Sequence, residues 1–527
     1  MSRRCASIMC VVLVCVVTFH WDLGTASAAD QKLPRYEKAD CPMDIPPGRK
    51  VECGYLTVPE DRANPSNGRT VKIAAAVFKS DSSNPQPDPT VYLEGGPGGR
   101  TLADSNDYVN GDFAPFLEKR DLILFDQRGT GFSTPSLACP ETTEQAWADI
   151  DKNLTIKQQQ DSSTQALQAC HDRLVKEGVN LSAYTSAENA ADVSDLRVAL
   201  GYKSWNLYGI SYGTRLGLTV MRDHPQGIRS AILDSNIPPE IDANLTVPQT
   251  ADRVFKTLFN GCAKNTACNA AYPNLEKVFY DTVARLNANP VQYRVTRDSN
   301  KKRYTMLFKG DDLISELFSA FYVTSILGDL PSAIYAAQSG KFDLFVNLKL
   351  LDLSEYDTIN EGLYYSIDCT EEVSFDSPAA LQNADKNFPQ ENHVFDASDV
   401  IAKCKGWNVK PAPAIENKPV TSDLPALVTE GEYDPITPPS FGVETAKTLK
   451  NSFYFEFPGM GHGATIGDLC PTKVALDFLD NPTVKPDATC IAGMHLPKFT
   501  IGAPDDPNSQ PPAPNAPVDN TGNGGST

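Results

Sequence analysis

Three side chains in this sequence have the types and settings for nucleophilic catalysis: Ser211, Asp434 and His462. Ser211 stands in W-N-L-Y-G-I-S-Y-G-T, residues 205–214, where an aromatic, apolar run stops at Gly209 and a helix-compatible run follows Gly213. G-x-S-x-G between a strand and a helix is the setting in which a serine is turned out of a tight elbow. The glycines are needed because side chains beside that serine clash. The first amides of the helix then point at the hydroxyl and can hold an oxyanion. A plain Gly-Ser turn fits the same pattern, so the reading depends on a base, an acid and a second oxyanion donor elsewhere.

His462 lies between two glycines in F-P-G-M-G-H-G, residues 457–463, at the end of a strand-like run, where its imidazole can swing over the elbow. His171, His224, His393 and His495 have no comparable setting. Asp434 opens D-P-I-T-P at the carboxyl end of the run Pro425–Thr429, and an acid fixed there by prolines is well placed to orient a histidine. Asp234, at an earlier strand end, is the rival acid; the Asp-Pro setting and the closeness to His462 favour Asp434. In this division of labour His462 takes the proton of Ser211, and Asp434 holds the imidazole tautomer and stabilises the imidazolium. The second oxyanion donor is expected in E-G-G-P-G-G, residues 94–99, after the short apolar run Thr90–Leu93. Amides of Gly96 and Tyr212 would then face the reacting oxygen, and loss of one such donor typically costs about 100- to 1000-fold. The alternative is a simple Gly-Pro turn.

These residues need a scaffold that brings strand ends together. Thr70–Phe78, Thr90–Leu93, Asp121–Phe125, Ile228–Leu233, Leu424–Thr429 and Phe453–Phe457 read as strands, and Ser186–Leu200 as a helix capped by Ser186. Strands alternating with helices predict a mostly parallel, doubly wound α/β sheet with helices on both faces. Asp126 and Arg128, after the strand Asp121–Phe125, are expected to brace the glycine loop from behind. Residues 29–60 read as Pro-rich and irregular. The expected organisation is a signal peptide at 1–28, a first core part at 29–241, and a mainly helical cap insertion at 242–407. A second core part at 408–501 and a disordered Pro/Gly/Asn-rich tail at 502–527 complete it.

A formal charge of −19 argues against nucleic acid as a partner. Arg3 and Arg4, the apolar run Ile8–Phe19 and Ala26-Ser27-Ala28 form a secretory signal pattern too short to span a membrane, so export is expected. Of 13 cysteines, Cys5, Cys10 and Cys15 fall in that segment. The remaining ten are an even set, as an oxidising compartment favours. Pairing cannot be deduced from sequence. Neighbours along the chain suggest Cys41–Cys53, Cys139–Cys170, Cys262–Cys268, Cys369–Cys404 and Cys470–Cys490. No zinc-like spacing is present, so a metal is the weaker reading of these cysteines.

Together the motifs resemble the secreted tripeptidyl aminopeptidase and proline iminopeptidase branch of the α/β-hydrolases. The likeness rests on C-G-Y-L-T-V-P-E-D (53–61), the 95–99 loop, Asp126–Ser133, the 209–213 elbow, Y-Y-S-I-D-C-T-E-E (364–372), D-P-I-T-P and Gly461-His462-Gly463. It implies an exopeptidase acting on peptides with a free N-terminus, without a cofactor, and a monomer is the working expectation. Glu94 departs from the histidine that proline iminopeptidases often carry before G-G-P-G, which puts a strict proline preference in doubt. An ester hydrolase would use the same triad, and a non-catalytic binding protein on this fold is the non-enzyme alternative. An exopeptidase must recognise an α-ammonium. Glu371 and Glu372, which a Cys369–Cys404 bridge would pin, are the expected anchors, with Glu371 ahead on its likeness to the family motif. An acidic pair in solvent is the plainer alternative.

Overall fold

A computed structural model describes residues 33–502 except 356, 378–387, 389, 392–393, 467–468 and 496. The signal pattern, the tail from 503 onward and His393 lie outside the described residues. The strands are β1 (Arg35–Ala39), β2 (Val51–Pro59), β3 (Thr70–Phe78), β4 (Thr90–Leu93), β5 (Leu122–Phe125) and β6 (Trp205–Ser211). They continue with β7 (Ile228–Asn236), β8 (Val291–Thr296), β9 (Arg303–Phe308), β10 (Ala426–Gly431) and β11 (Ser452–Phe457). Nine of them form one sheet in the order β1-β2-β3-β5-β4-β6-β7-β10-β11. From β5 to β11 every neighbouring pair is parallel. The pairs β1/β2, β2/β3 and β3/β5 are antiparallel.

The parallel strands carry continuous apolar runs because both faces are covered. All four residues of β4 and of β5 are buried. One face packs Leu93, Leu207, Leu233 and Val428 under helices, including α1 (Ser186–Ala199) and the almost wholly buried α2 (Tyr212–Asp223). The other packs Tyr92, Tyr208, Ile232 and Leu427 against Phe113, Phe116 and Phe478. Parallel strands place their carboxyl ends along one edge, where a site is expected in such sheets.

Two features depart from the sequence reading. Residues 35–39 and 51–59 are strands paired in register, Ala39 opposite Cys53, rather than irregular chain. The stretch between β7 and β10 is mainly helical but also holds the β8–β9 hairpin. That stretch has its own apolar core, formed by α3 (Ala243–Lys264), α4 (Gly310–Ala320) and their neighbours. Among the described residues its last two helices, α5 (Glu361–Glu371) and α6 (Ala397–Trp407), pack instead into the sheet's core through Leu363, Ile367 and Trp407. All ten cysteines after the signal pattern form the five neighbouring disulfides expected.

Candidate active site

Ser211 ends β6 and turns straight into α2 with φ 59° and ψ −127°, a backbone region that non-glycine residues rarely occupy. The two glycines are steric necessities. A Cβ on Gly209 would lie 2.2 Å from the Gly213 carbonyl oxygen, and one on Gly213 would lie 1.9 Å from that of Leu93. The hydroxyl of Thr214 donates to the Ser211 carbonyl at 2.6 Å and accepts from the Ile237 amide at 2.9 Å, which ties the elbow to the end of β7.

The glycine loop leans on this serine: a Cβ at Gly95 would sit 3.3 Å from the Ser211 Cβ. Within the loop the Gly95 amide donates to the Glu94 carboxylate at 2.9 Å and the Gly99 amide to the Gly95 carbonyl at 3.2 Å. Neither of these bonds uses the Gly96 amide, and Gly96 has φ 108°, a conformation that favours glycine. Glu94 is itself held by the hydroxyls of Tyr108 at 2.7 Å and Tyr92 at 3.2 Å. Behind it, Asp126 accepts from the amides of Thr101 and Leu102 at 2.8 and 3.0 Å and from Phe132 at 2.7 Å. The fully buried Arg128 is bidentate to Asp192, at 2.8 and 2.9 Å. Asp126 therefore braces the chain that follows the glycine loop, as expected, whereas Arg128 does not: it ties α1 to the carbonyls of Glu60 and Ala183 at 2.8 and 2.7 Å.

His462 and Asp434 follow β11 and β10. Nδ1 of His462 lies 2.8 Å from Oδ2 of Asp434, so the proton sits on Nδ1 and the lone pair on Nε2. The other carboxylate oxygen accepts from the amides of Ile436 and Thr437 at 3.1 and 2.8 Å. Burial pushes the Asp434 carboxyl up, but His462 and the Thr437 hydrogen bonds outweigh it and hold it below its usual range. Burial likewise disfavours the imidazolium, and the adjoining Asp434 charge outweighs it, so His462 titrates above its ordinary value. The rival, Asp234, takes its hydrogen bonds from Thr465 and Thr429 and braces the histidine loop from below. A Cβ on Gly463 would lie 3.6 Å from Ile210, so the histidine loop rests on the residue before the serine. The Ser211 hydroxyl forms no hydrogen bond among the described residues. Such contacts are often loose without substrate.

Sequence reasoning missed Thr437, although it sits inside the D-P-I-T-P run. Its hydroxyl donates to Asp434 at 2.7 Å and lies 3.3 Å from the His462 Nδ1. Tyr322, from the segment after α4, was missed as well. Its partly exposed ring packs 4.8 Å from that of His462.

Glu371 and Glu372 both have partners within the protein. Glu371 is fully buried and accepts from the Ser186 amide and hydroxyl, both at 2.6 Å, at the start of α1. That same hydroxyl meets the Tyr212 hydroxyl at 2.9 Å. Glu372 pairs with Arg215 and accepts from the Ala243 amide at 3.3 Å, while Arg215 also approaches Glu371 at 3.4 Å. The cation these acids hold is thus an arginine of α2, one turn below Ser211. Asp368 with Cys369 and Cys404 is, among the described residues, the group with metal-ligand atoms close together. Both its sulfurs are in a disulfide, so no thiolate remains for an ion.

A serine elbow, a histidine–aspartate pair at the next strand ends and a mostly parallel sheet define a hydrolase of the α/β type. The family model described as alpha/beta hydrolase fold matches residues 89–468, and the chain belongs to that family. Its relatives include the serine protease Hip1 of Mycobacterium tuberculosis, 24% identical over 91% of this chain and 96% of its own. The tripeptidyl aminopeptidase of Streptomyces lividans is 25% identical over 86% of each chain. A probable proline iminopeptidase of Streptomyces coelicolor is 28% identical over 30% of this chain and 35% of its own. Among the described residues no helix is long and apolar enough to cross a membrane.

Proposed function

We propose that this chain is an exported serine exopeptidase that releases a single residue or a tripeptide from the free N-terminus of peptides. The hydrogen-bonded His462–Asp434 pair, set at strand ends beside the Ser211 elbow, carries the hydrolytic part of this reading. The exopeptidase part is supported by relatives named tripeptidyl aminopeptidase that align over most of the chain. Five disulfides support an oxidising destination.

Nε2 of His462 takes the proton from Ser211 as its Oγ attacks the scissile carbonyl. The amides of Gly96 and Tyr212 receive the oxyanion, and the imidazolium, steadied by Asp434, returns the proton to the leaving amine. Water then attacks the acyl-enzyme with the same base. Glu371 and Glu372 support the elbow in this scheme, through Ser186 and Arg215, rather than the substrate's ammonium.

A substrate panel tests the reading: free-amine mono- and tripeptide chromogens, the same peptides N-blocked, and simple esters. Turnover of the free-amine peptides with little of the blocked ones is expected. Preference for esters overturns the peptidase part, and equal turnover of blocked peptides overturns the exopeptidase part. In the same panel Glu371→Gln is expected to slow free-amine peptides and esters alike. A fall confined to free-amine peptides returns the ammonium to Glu371.

A further inference from the structure

The segment between β7 and β10 does more than cover the site, because it grips both loops that carry the triad's acid and base. Arg253 of α3 donates from Nη1 to the Glu432 carbonyl at 2.8 Å and from Nη2 to the carbonyl of Asp434 itself. Tyr433, between these two residues, is fully buried in the segment's own apolar core and stacks on Phe321, with ring centroids 6.1 Å apart. The histidine loop is held from the same side. The Gly461 amide donates to Thr324 Oγ at 2.9 Å, and a Cβ on Gly461 would lie 2.3 Å from the Phe321 carbonyl oxygen.

We infer that Arg253 is a positioning residue for the reaction proposed above. Its planar fork across two carbonyls sets the turn from which Asp434 meets His462, so that the inserted segment completes the triad. A carbonyl pair two residues apart in one turn needs a bidentate donor. The guanidinium is rigid and planar, whereas a lysine offers a single point charge. The fork also brings a positive charge among Asp434, Glu430, Glu432 and Glu456. Beyond these acids, His462 faces Asp234. Small displacements of a catalytic group are costly, about 100-fold for 1 Å.

The inference rests on the Ser211–His462–Asp434 reading. The test uses the full chain with Arg253→Lys, Arg253→Gln and Thr324→Val, and Ser211→Ala as control. Labelling of Ser211 by a small phosphonate, kcat and KM, the pH profile and thermal unfolding are measured together. Arg253→Lys is expected to lower kcat and the labelling rate by roughly 10- to 100-fold while KM stays within about twofold. Its acid limb stays in place because the charge is kept. Arg253→Gln is expected to move that limb to higher pH as well, since losing a nearby positive charge makes His462 easier to protonate. Folded variants with wild-type labelling and kcat overturn the inference, as does a fall confined to KM with labelling intact. If both Arg253 variants fail to fold, Thr324→Val decides: slowed labelling supports the coupling and wild-type labelling overturns it. Phosphonate labelling that persists in Ser211→Ala rejects the triad assignment itself, a separate failure.

Discussion

A serine hydroxyl is a poor nucleophile until a base sits beside it, and the base in the proposed reaction, His462, is held by one carboxylate and one threonine. Replacing Ser211 by Ala is expected to abolish hydrolysis and phosphonate labelling, read by mass spectrometry, while chelators leave the wild-type rate unchanged. Asp434→Asn keeps the shape but reverses the hydrogen bond, so Nδ1 loses its proton and Nε2 its lone pair. A loss on the order of 10⁴-fold in kcat is expected. The direction of the His462 shift fixes the pH response. A histidine raised above its usual ~6.5 must lose its proton to act, so the acid limb of kcat/KM is expected above that value. Its contribution to stability runs the other way: present below about 6.5, and lost as pH rises through the folded value. Asp434, held low, contributes stability above its usual ~3.9, which is lost as pH falls through the folded value. Activity profiles across about pH 5–9 follow His462, and thermal melts carried down to about pH 2 follow Asp434. Thr437→Val removes a donor to Asp434 and is expected to move the acid limb while KM stays put, a split that steady-state kinetics resolves.

At the scale of elements, the elbow is the least forgiving part. Gly213→Ala drives a methyl into the Leu93 carbonyl and is expected to prevent folding or abolish labelling. Gly217→Ala, one turn on, meets only the Leu233 and Leu93 side-chain methyls, at 3.1 and 3.5 Å. It is expected to fold, with helix propensity gaining about 0.5–1 kcal/mol against that crowding. Soluble yield and melting temperature of the two variants make the comparison. Strands buried on both faces were plain in the sequence, because short apolar runs ending in glycine or acid leave little choice. Ser211, Asp434 and His462 stood out because each ends such a run. β1 and β2 escaped notice because flanking prolines mask the two paired segments, and pairing is a long-range property. The setting of Glu371 was illegible for a related reason. An acidic pair beside a cysteine reads the same whether its cation is a ligand or Arg215, and only packing brings Arg215 there. Thr437, Arg253 and Tyr322 gave no local signal of a role, since each acts on a residue distant in sequence or in a loop not yet folded.

The whole molecule is a sheet whose active edge is finished by chain that leaves and returns. The returning helix α5 begins on the glycine loop, where the Asn360 amide donates to the Gly98 carbonyl at 2.8 Å, and ends at Glu371 under the elbow. The Cys369–Cys404 disulfide links α5 to α6. Replacing both cysteines by serine is expected to lower stability by about 2–4 kcal/mol. Phosphonate labelling is expected to slow as well, because the helix that touches both the glycine loop and, through Ser186, Tyr212 loosens. Denaturant melts and labelling rates check both effects. The Cys41–Cys53 bridge has a different consequence, because it fastens an edge. β1 is the outermost strand, short and with Glu37 and Lys38 exposed, and it covers the nine-residue, mostly buried β2. Mild reduction would let that cover peel away and open the stretch Cys53–Thr57, which it pairs, as a template for another copy. Turbidity appearing before any loss of helical signal is the mark of that route.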